Sequence, residues 1–355
     1  MWKLRAARSG STDVRKRRRS DVAFSAIHAQ LHFMHPFTYH RPDSVDAALA
    51  ALSAPHAFAL GGGTDLLVTM KEQLVRPEQL VDLRRLPGWR DITVRNDGSV
   101  RLGGAVRISD ISSHAGIREN FSSLALAAHS VGTPALRNMG TIAGNLGQRP
   151  RCWYYRRGIA CHKNLGSTCP AVEGENQYHA IIDAGPCHAV HPSDPAVALT
   201  ALEATVELLG AGSVRRSIPM ARFYEGASSN TLAETVAAAG EVIEAIEIPA
   251  YSRGGTQRYA KLMQRGAWDF ALVSLAAIKR PDAEVRLVLG GVALHPYRVN
   301  PSVEEDVASG PLDDTSAEAL AERALHDAKP LSKNGYKVKQ AAALLREAMQ
   351  ELSRA

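Results

Sequence analysis

The sequence predicts an α+β protein built from two or three subdomains, and three observations carry this. The chain has 355 residues, more than one compact core usually organises. Its first part alternates short apolar runs, helical spacing and glycine turns, which reads as α/β passing into α+β. Its last part strings long strand-like runs together and ends on two stretches of helical apolar spacing.

In chain order, residues 1–33 come first as a basic extension. They hold eight Lys and Arg, including the run Arg15-Lys-Arg-Arg-Arg19, against only Asp13 and Asp21, so the whole formal charge of +6 lies there and the body is neutral. A neutral body gives no reason to expect nucleic acid as a partner. The residues after Arg19 are too polar for a signal sequence, so 1–33 reads as a disordered or misannotated extension, with Met34 as an alternative start. No run approaches the roughly 18 apolar residues of a membrane span.

Residues 37–42 are an extended lead-in, and Ser44 offers a cap for a helix over about 45–53. A strand at 57–60 empties into Gly61-Gly-Gly-Thr-Asp65, a helix follows over 66–73, and 79–83 is another strand, giving a β-α-β unit. Residues 91–95 and 99–102 alternate about Asn96-Asp-Gly98, a hairpin signal. Ser109 is expected to cap one helix, and Ser122 or Ser123 a second that ends at Val131. Residues 204–209 and 214–218 form a further hairpin. After Pro219, long strands at 241–248, 257–263, 270–279 and 284–294 predict one antiparallel sheet, covered on one face by helices at 315–328 and 336–352. The expected division is 34–219 and 220–355.

The chemistry gathers in three places. Gly61-Gly-Gly-Thr-Asp65 follows a strand and precedes a helix, so its backbone N–H groups can cradle a pyrophosphate. The spacing is neither G-x-G-x-x-G nor a P-loop, and taken alone the turn reads equally well as a plain tight turn. Gly140-Thr-Ile-Ala-Gly-Asn145 repeats that chemistry, with a hydroxyl on Thr141 and an amide on Asn145. All four cysteines follow, spaced C-x8-C-x7-C-x17-C as Cys152, Cys161, Cys169 and Cys187. This is neither a zinc ribbon nor a compact ferredoxin run, so spacing leaves a four-thiolate site and free buried thiols both open. The surroundings are poor core, with Arg149, Arg151, Arg156, Arg157, His162 and Lys163, and nearby cations are expected to lower the thiol pKa values.

Leu60-Gly-Gly-Gly-Thr-Asp-Leu66, Asn138-Met-Gly-Thr-Ile-Ala-Gly-Asn-Leu146 and His191-Pro-Ser-Asp194, in this order and at this spacing, resemble the FAD-binding subunit of the molybdenum hydroxylases, the xanthine dehydrogenase and carbon monoxide dehydrogenase group. The resemblance covers about 34–350. It implies a PCMH-type (vanillyl-alcohol-oxidase-like) FAD domain followed by the C-terminal α+β domain of these flavoproteins. It implies that Leu60, Gly61, Gly62, Gly63, Thr64, Asp65 and Leu66, with Gly140, Thr141, Ala143, Gly144 and Asn145, hold the FAD diphosphate. It further implies that Ser193, Asp194 and Lys261 lie at the flavin ring. Ala143 departs from a usual glycine, and binding is expected to survive that change.

The cysteine segment, 148–190, is similar to an insertion in the periplasmic aldehyde oxidoreductase subgroup. That likeness implies a [4Fe-4S] cluster on Cys152, Cys161, Cys169 and Cys187. The implied activity is an oxidoreductase subunit with no catalytic residue for the organic substrate. It would pass electrons from a large molybdopterin-binding subunit and a small [2Fe-2S] subunit to a quinone, ferredoxin-like or oxygen acceptor. The implied compartment is the cytoplasm, or the periplasm by export with a signal-bearing partner. Two other classes stand beside it: a stand-alone PCMH-type flavin oxidase, and a non-redox four-cysteine zinc or nucleic-acid-binding module. Trp153, Tyr154 and Tyr155 read as a cluster shield or an interface patch. His162, His179, His188 and His191 read as hydrogen-bonding groups rather than ligands. Asp269 reads as a turn carboxylate or a nicotinamide-facing one.

Overall fold

The computed structural model describes residues 34–227 and 231–355; the basic run Arg15 to Arg19 lies outside the described residues. Strands β1 (Thr38–His40), β2 (Ala57–Leu60) and β3 (Gln79–Asp82) form a parallel sheet in the order β1-β3-β2. Helix Val45–Leu52 connects the first two strands, and the Ser44 side chain accepts the Ala47 N–H to cap it. Helix Leu66–Lys71 connects the next pair. Leu49, Leu52, Val81 and Trp89 fill the small core beneath.

Strands β4 (Ile92–Val94), β5 (Val100–Gly103), β6 (Thr205–Leu209), β7 (Arg215–Pro219) and β8 (Val242–Ile248) form an antiparallel sheet in the order β4-β5-β8-β6-β7. Gly98 turns the first hairpin with φ +89°, as Asn96-Asp-Gly98 predicts. β8 corrects the sequence reading, which put 241–248 in the C-terminal sheet. It instead pairs with β5 (Val100↔Ile248) and with β6 (Thr205↔Glu247). The reason is a split between its faces. Ile246 and Ile248 enter the largest core, while Glu247 on the opposite face pairs with Arg101 of β5 and with Arg95 just beyond β4. This sheet therefore draws a strand from beyond residue 219.

Strands β9 (Thr256–Leu262), β10 (Val273–Lys279), β11 (Val285–Gly290) and β12 (Tyr297–Arg298) form the last sheet, antiparallel, in the order β12-β11-β10-β9. Helices Pro301–Ala308, Asp314–Ala324 and Tyr336–Arg354 cover one face, through Leu287, Ala321, Leu345 and Met349. The other face is covered too: Ala276, Ile278 and Val288 join the largest core beside helices Ser122–His129 and Asp194–Ala201.

Two expected caps are displaced. Ser109 lies inside helix Ile108–Ser113, whose N-cap is Arg107. Phe121 caps Ser122–His129 without a side-chain bond, because buried Ser123 turns its hydroxyl to Gln257 Oε1 at 2.9 Å. Between Leu146 and Asp194 the only regular element is one helical turn, Trp153–Arg156. Among the described residues no helix is long and apolar enough to cross a membrane.

Candidate functional site

The two glycine turns pack backbone against backbone. A Cβ on Gly62 would stand 2.0 Å from the Met139 carbonyl oxygen, and one on Gly61 would stand 2.5 Å from Thr141 Oγ1. Gly63 takes φ +74°, a conformation that favours glycine. Glycine at 61 and 62 is thus set by close approach, and at 63 by the turn itself. The N–H groups of Gly62, Gly63 and Thr64 find no acceptor among the described residues. The second turn is a helix start: Thr141 Oγ1 accepts the Gly144 N–H at 3.2 Å and caps Ile142–Leu146. Ala143 is helical and donates its N–H to Gly104 O at 3.0 Å, so no special φ requires glycine there.

These turns form the ridge between two clefts. The first, about 330 Å³, is lined by Gly61, Gly62, Gly63, Leu66, Thr141 and Ala143, and is walled by Phe58, Trp89, Val242 and Ile243. The second, about 260 Å³, is lined by Gly140, Asn145, Asp194 and Lys261, and is walled by Leu136, Trp268 and Phe270. Thr64, Asp65 and Gly144 belong to both. Leu60 lines neither cleft and is buried in the core. Ser193 also stays behind the wall; its hydroxyl holds Asn145 Oδ1 at 2.5 Å and caps Asp194–Ala201 by accepting the Ala196 N–H.

Lys261 is not a free cation. Its Nζ lies 2.8 Å from Asp194 Oδ2 and 3.1 Å from Ser130 O, and both charged side chains are buried. Tyr259 donates its hydroxyl to Asp194 Oδ1 at 2.6 Å, and burial together with that carboxylate raises the Tyr259 pKa far above the phenol range. Asp269 lies on the second cleft with its carboxylate taken up by Arg265 and the Phe270 N–H.

The four cysteines converge. Cys152, Cys161, Cys169 and Cys187 all line one small cavity, closed by Tyr154, Tyr155, His162, Lys163, Pro170 and Ala189. All four are free thiols. Among the described residues no three His, Cys, Asp or Glu side chains gather tightly enough for a single ion. The expectation of lowered thiol pKa values is overturned at two positions. Burial pushes Cys152 up to about 11 against the Tyr155 and Tyr154 N–H groups, and burial raises Cys187 against the Ala189 N–H and Lys163. The reason is where the arginines point. Arg156 Nη2 and Arg151 Nη2 reach Asp65 Oδ1 at 2.8 and 3.0 Å, and the Arg149 N–H reaches Asp65 Oδ2 at 2.8 Å.

Asp65 therefore ties the first glycine turn to the cysteine segment, a role the sequence reading did not give it. The spacing of Arg149, Arg151 and Arg156 along a glycine-rich stretch was the available signal. A second tether joins Lys163, buried, to Glu234 Oε1 at 2.9 Å and Thr231 O at 2.8 Å. A third is Lys337, fully buried, whose Nζ donates to Gly291 O at 2.6 Å and His179 O at 2.8 Å. Of the four histidines, His179 alone meets a cysteine: its Nε2 lies 3.3 Å from Cys152 Sγ. His191 packs on the Tyr224 ring at 4.3 Å, and burial lowers it to about 3. Trp153 packs edge-on against Tyr178 and His179, while Tyr154 and Tyr155 close the cavity.

The family model described as FAD binding domain in molybdopterin dehydrogenase matches residues 35–251 and so ends just beyond β8. The chain belongs to this family. It is an FAD-binding oxidoreductase subunit of the molybdenum hydroxylase type. It is 37% identical over 309 residues to the aldehyde oxidoreductase FAD-binding subunit PaoB of Escherichia coli K12, covering 86% of this chain and 94% of that one. It is 28% identical to the carbon monoxide dehydrogenase medium chain of Hydrogenophaga pseudoflava, over 72% and 75% of the two chains. A solved structure of carbon monoxide dehydrogenase from that organism superposes with a TM-score of 0.69 at 24% identity, over 90% of this chain and 98% of that one. The FAD-binding subunit thus has the fold of the carbon monoxide dehydrogenase flavoprotein.

Proposed function

We propose that this FAD-binding subunit lays the cofactor across the ridge between its two clefts and carries a [4Fe-4S] cluster on Cys152, Cys161, Cys169 and Cys187. The residues present fit both groups. The free N–H groups of Gly62, Gly63 and Thr64 suit a diphosphate, and no side chain could occupy the space at Gly61 or Gly62. The clefts on either side would hold the two ring systems, with Asn145, Asp194 and Lys261 lining one of them. Four thiols lining one cavity match the ligand set of a [4Fe-4S] cluster, one cysteine for each iron. The observation that carries the reading is Asp65, whose carboxylate bonds the segment holding Cys152 to the turn that would hold the diphosphate.

Bound FAD exchanges electrons singly or in pairs, which suits a relay between one-electron and two-electron partners. The chain's own part is to fix distance and exclude water. The Lys261–Asp194 pair keeps the flavin end charge-balanced, and Tyr154 and Tyr155 keep the thiols buried. Relatives named as medium chains and FAD-binding subunits support the same setting here. The electrons come from a large molybdopterin-binding subunit through a small [2Fe-2S] subunit. They leave to a quinone, ferredoxin-like or oxygen acceptor, in the cytoplasm or, exported with a signal-bearing partner, in the periplasm. Family membership replaces the zinc or nucleic-acid reading. A stand-alone oxidase is tested by turnover of the isolated chain.

The deciding experiment is iron, sulfide and flavin analysis of the purified complex. With two [2Fe-2S] clusters in a partner, about eight irons per flavin are expected, falling to about four in Cys161→Ser. Equal iron in both proteins would remove the cluster. Rapid flavin reoxidation by NAD would remove the assigned acceptor class.

A further inference from the structure

The cysteine cavity is asymmetric. Cys152 Sγ lies 3.3 Å from His179 Nε2, whereas no side chain among the described residues lies within hydrogen-bond distance of the other three sulfurs. Cys152 is also the cysteine flanked by Arg151 and Arg156, which grip Asp65 of the flavin turn. One corner of the cavity thus carries the side-chain contact to a sulfur and is also the one tied to the flavin site.

His179 is held for this contact. It is buried, and its imidazole packs against both Trp153 and Tyr154, each with its ring centroid 6.0 Å away. Its backbone carbonyl accepts Lys337 Nζ at 2.8 Å and Asn334 Nδ2 at 3.1 Å, so the last helix and the segment before it fix the residue from behind. Nδ1 has no partner among the described residues. Among the described residues the ring's one side-chain hydrogen-bond partner is therefore Cys152 Sγ. A thiolate ligand has no proton to give, so Nε2 must be the donor when Cys152 is ligated.

We propose that His179 is a positioning residue that sets the reduction potential of the cluster by donating its Nε2–H to Cys152 Sγ. The inference rests on the cluster reading above. Reduction adds one electron to the cluster, and the added charge is shared by its sulfur ligands. A donor aimed at a ligand sulfur stabilises the more negative state more and raises the potential. Trp153, Tyr154 and Tyr155 wall the same corner from water, which strengthens the effect of one hydrogen bond. Nothing else among the described residues offers a side-chain donor to any of the four thiols within hydrogen-bond distance.

The test is a potentiometric titration of the whole complex, followed by electron paramagnetic resonance of the [4Fe-4S] signal, for wild type, His179→Gln and His179→Phe. His179→Phe should lower the midpoint by about a tenfold change in the one-electron equilibrium, about 59 mV. His179→Gln, whose amide can still donate, should recover much of that shift. Iron and sulfide are measured on each protein. A full cluster with an unmoved midpoint in His179→Phe overturns the inference, as does loss of the cluster from both variants, which would make His179 a scaffold. Absence of the cluster from wild type instead removes the underlying reading, so the two failures are distinguishable.

Discussion

The glycine ridge and the cysteine cavity lie side by side and are built by opposite means. The ridge is made of backbone: two turns in van der Waals contact, each entering a helix, the first fixed by the Leu67 N–H to Gly63 O bond and the second by Ile142 to Val106 and Ala143 to Gly104. The cavity is made of side chains on a segment with one helical turn, held by Asp65, Glu234 and Lys337 reaching in from three other parts of the chain. A backbone site is formed by folding itself. A tethered loop gains order from each tether and from whatever its thiols bind, since ordering each residue costs about 1–2 kcal/mol. The difference predicts that the two regions fail separately.

The largest effect should come from Gly62→Ala. The new Cβ would meet the Met139 carbonyl at 2.0 Å, a backbone atom that cannot turn aside, so the two turns must part. Overpacking of this kind costs about 3 kcal/mol. We expect purified protein to lose most of its FAD while its iron per chain stays near wild type. Equal loss of iron would break the comparison. Lys337→Met should act in the opposite sense, at about 2–3 kcal/mol, because it strips a donor from buried carbonyls of Gly291 and His179. Iron should fall and flavin content hold, read by the same assay.

Asp65→Asn probes the joint itself. The amide keeps an acceptor for the Arg149 N–H but loses the charge opposing Arg151 and Arg156. The pairs are partly exposed, so the expected cost is about 1 kcal/mol, seen as a lower midpoint of thermal unfolding. The sharper readout is electronic. Flavin and iron contents should both survive, while electron transfer between them slows in stopped-flow reduction. Unchanged transfer would mean that the tether carries stability only.

What the sequence revealed follows the same division. The turns at 61–65 and 140–145 were legible because glycine spacing and flanking periodicity are local properties, and the hairpin at Asn96-Asp-Gly98 was legible for the same reason. The gathering of Cys152, Cys161, Cys169 and Cys187 followed from family resemblance, since spacing alone left free thiols open. Three things were not legible. β8 sits between β5 and β6 with Ile246 and Ile248 in the core and Glu247 paired to Arg101, and such a run carries no mark of which sheet it will join. Arg149, Arg151 and Arg156 looked like cations for the thiols, but the last two turn to Asp65 and the first to Glu234, both distant in sequence. The ion pair of Lys261 with Asp194 joins two elements far apart in sequence, and nothing local marks it.

The effect that is smallest at neutral pH concerns His191, where the cysteine segment rejoins the flavin domain. Its N–H donates to Ala293 O at 2.9 Å, its ring packs on Tyr224, and burial holds its pKa at about 3 against an ordinary value of 6.5. Above pH 6.5 the residue is neutral in both folded and unfolded chains and costs nothing. Between pH 6.5 and about 3 the unfolded chain takes up a proton that the folded chain refuses. Stability is therefore lost as pH falls through that window, at about 1.4 kcal/mol per pH unit from this group. His191→Phe keeps a ring against Tyr224 and removes the proton site. Urea unfolding at pH 7.0, 6.0 and 5.0 should show a slope shallower by that amount in the variant. Because the residue belongs to the junction, flavin release should follow the same altered pH course, while a slope identical to wild type would place the acid-sensitive group in one of the two regions rather than between them.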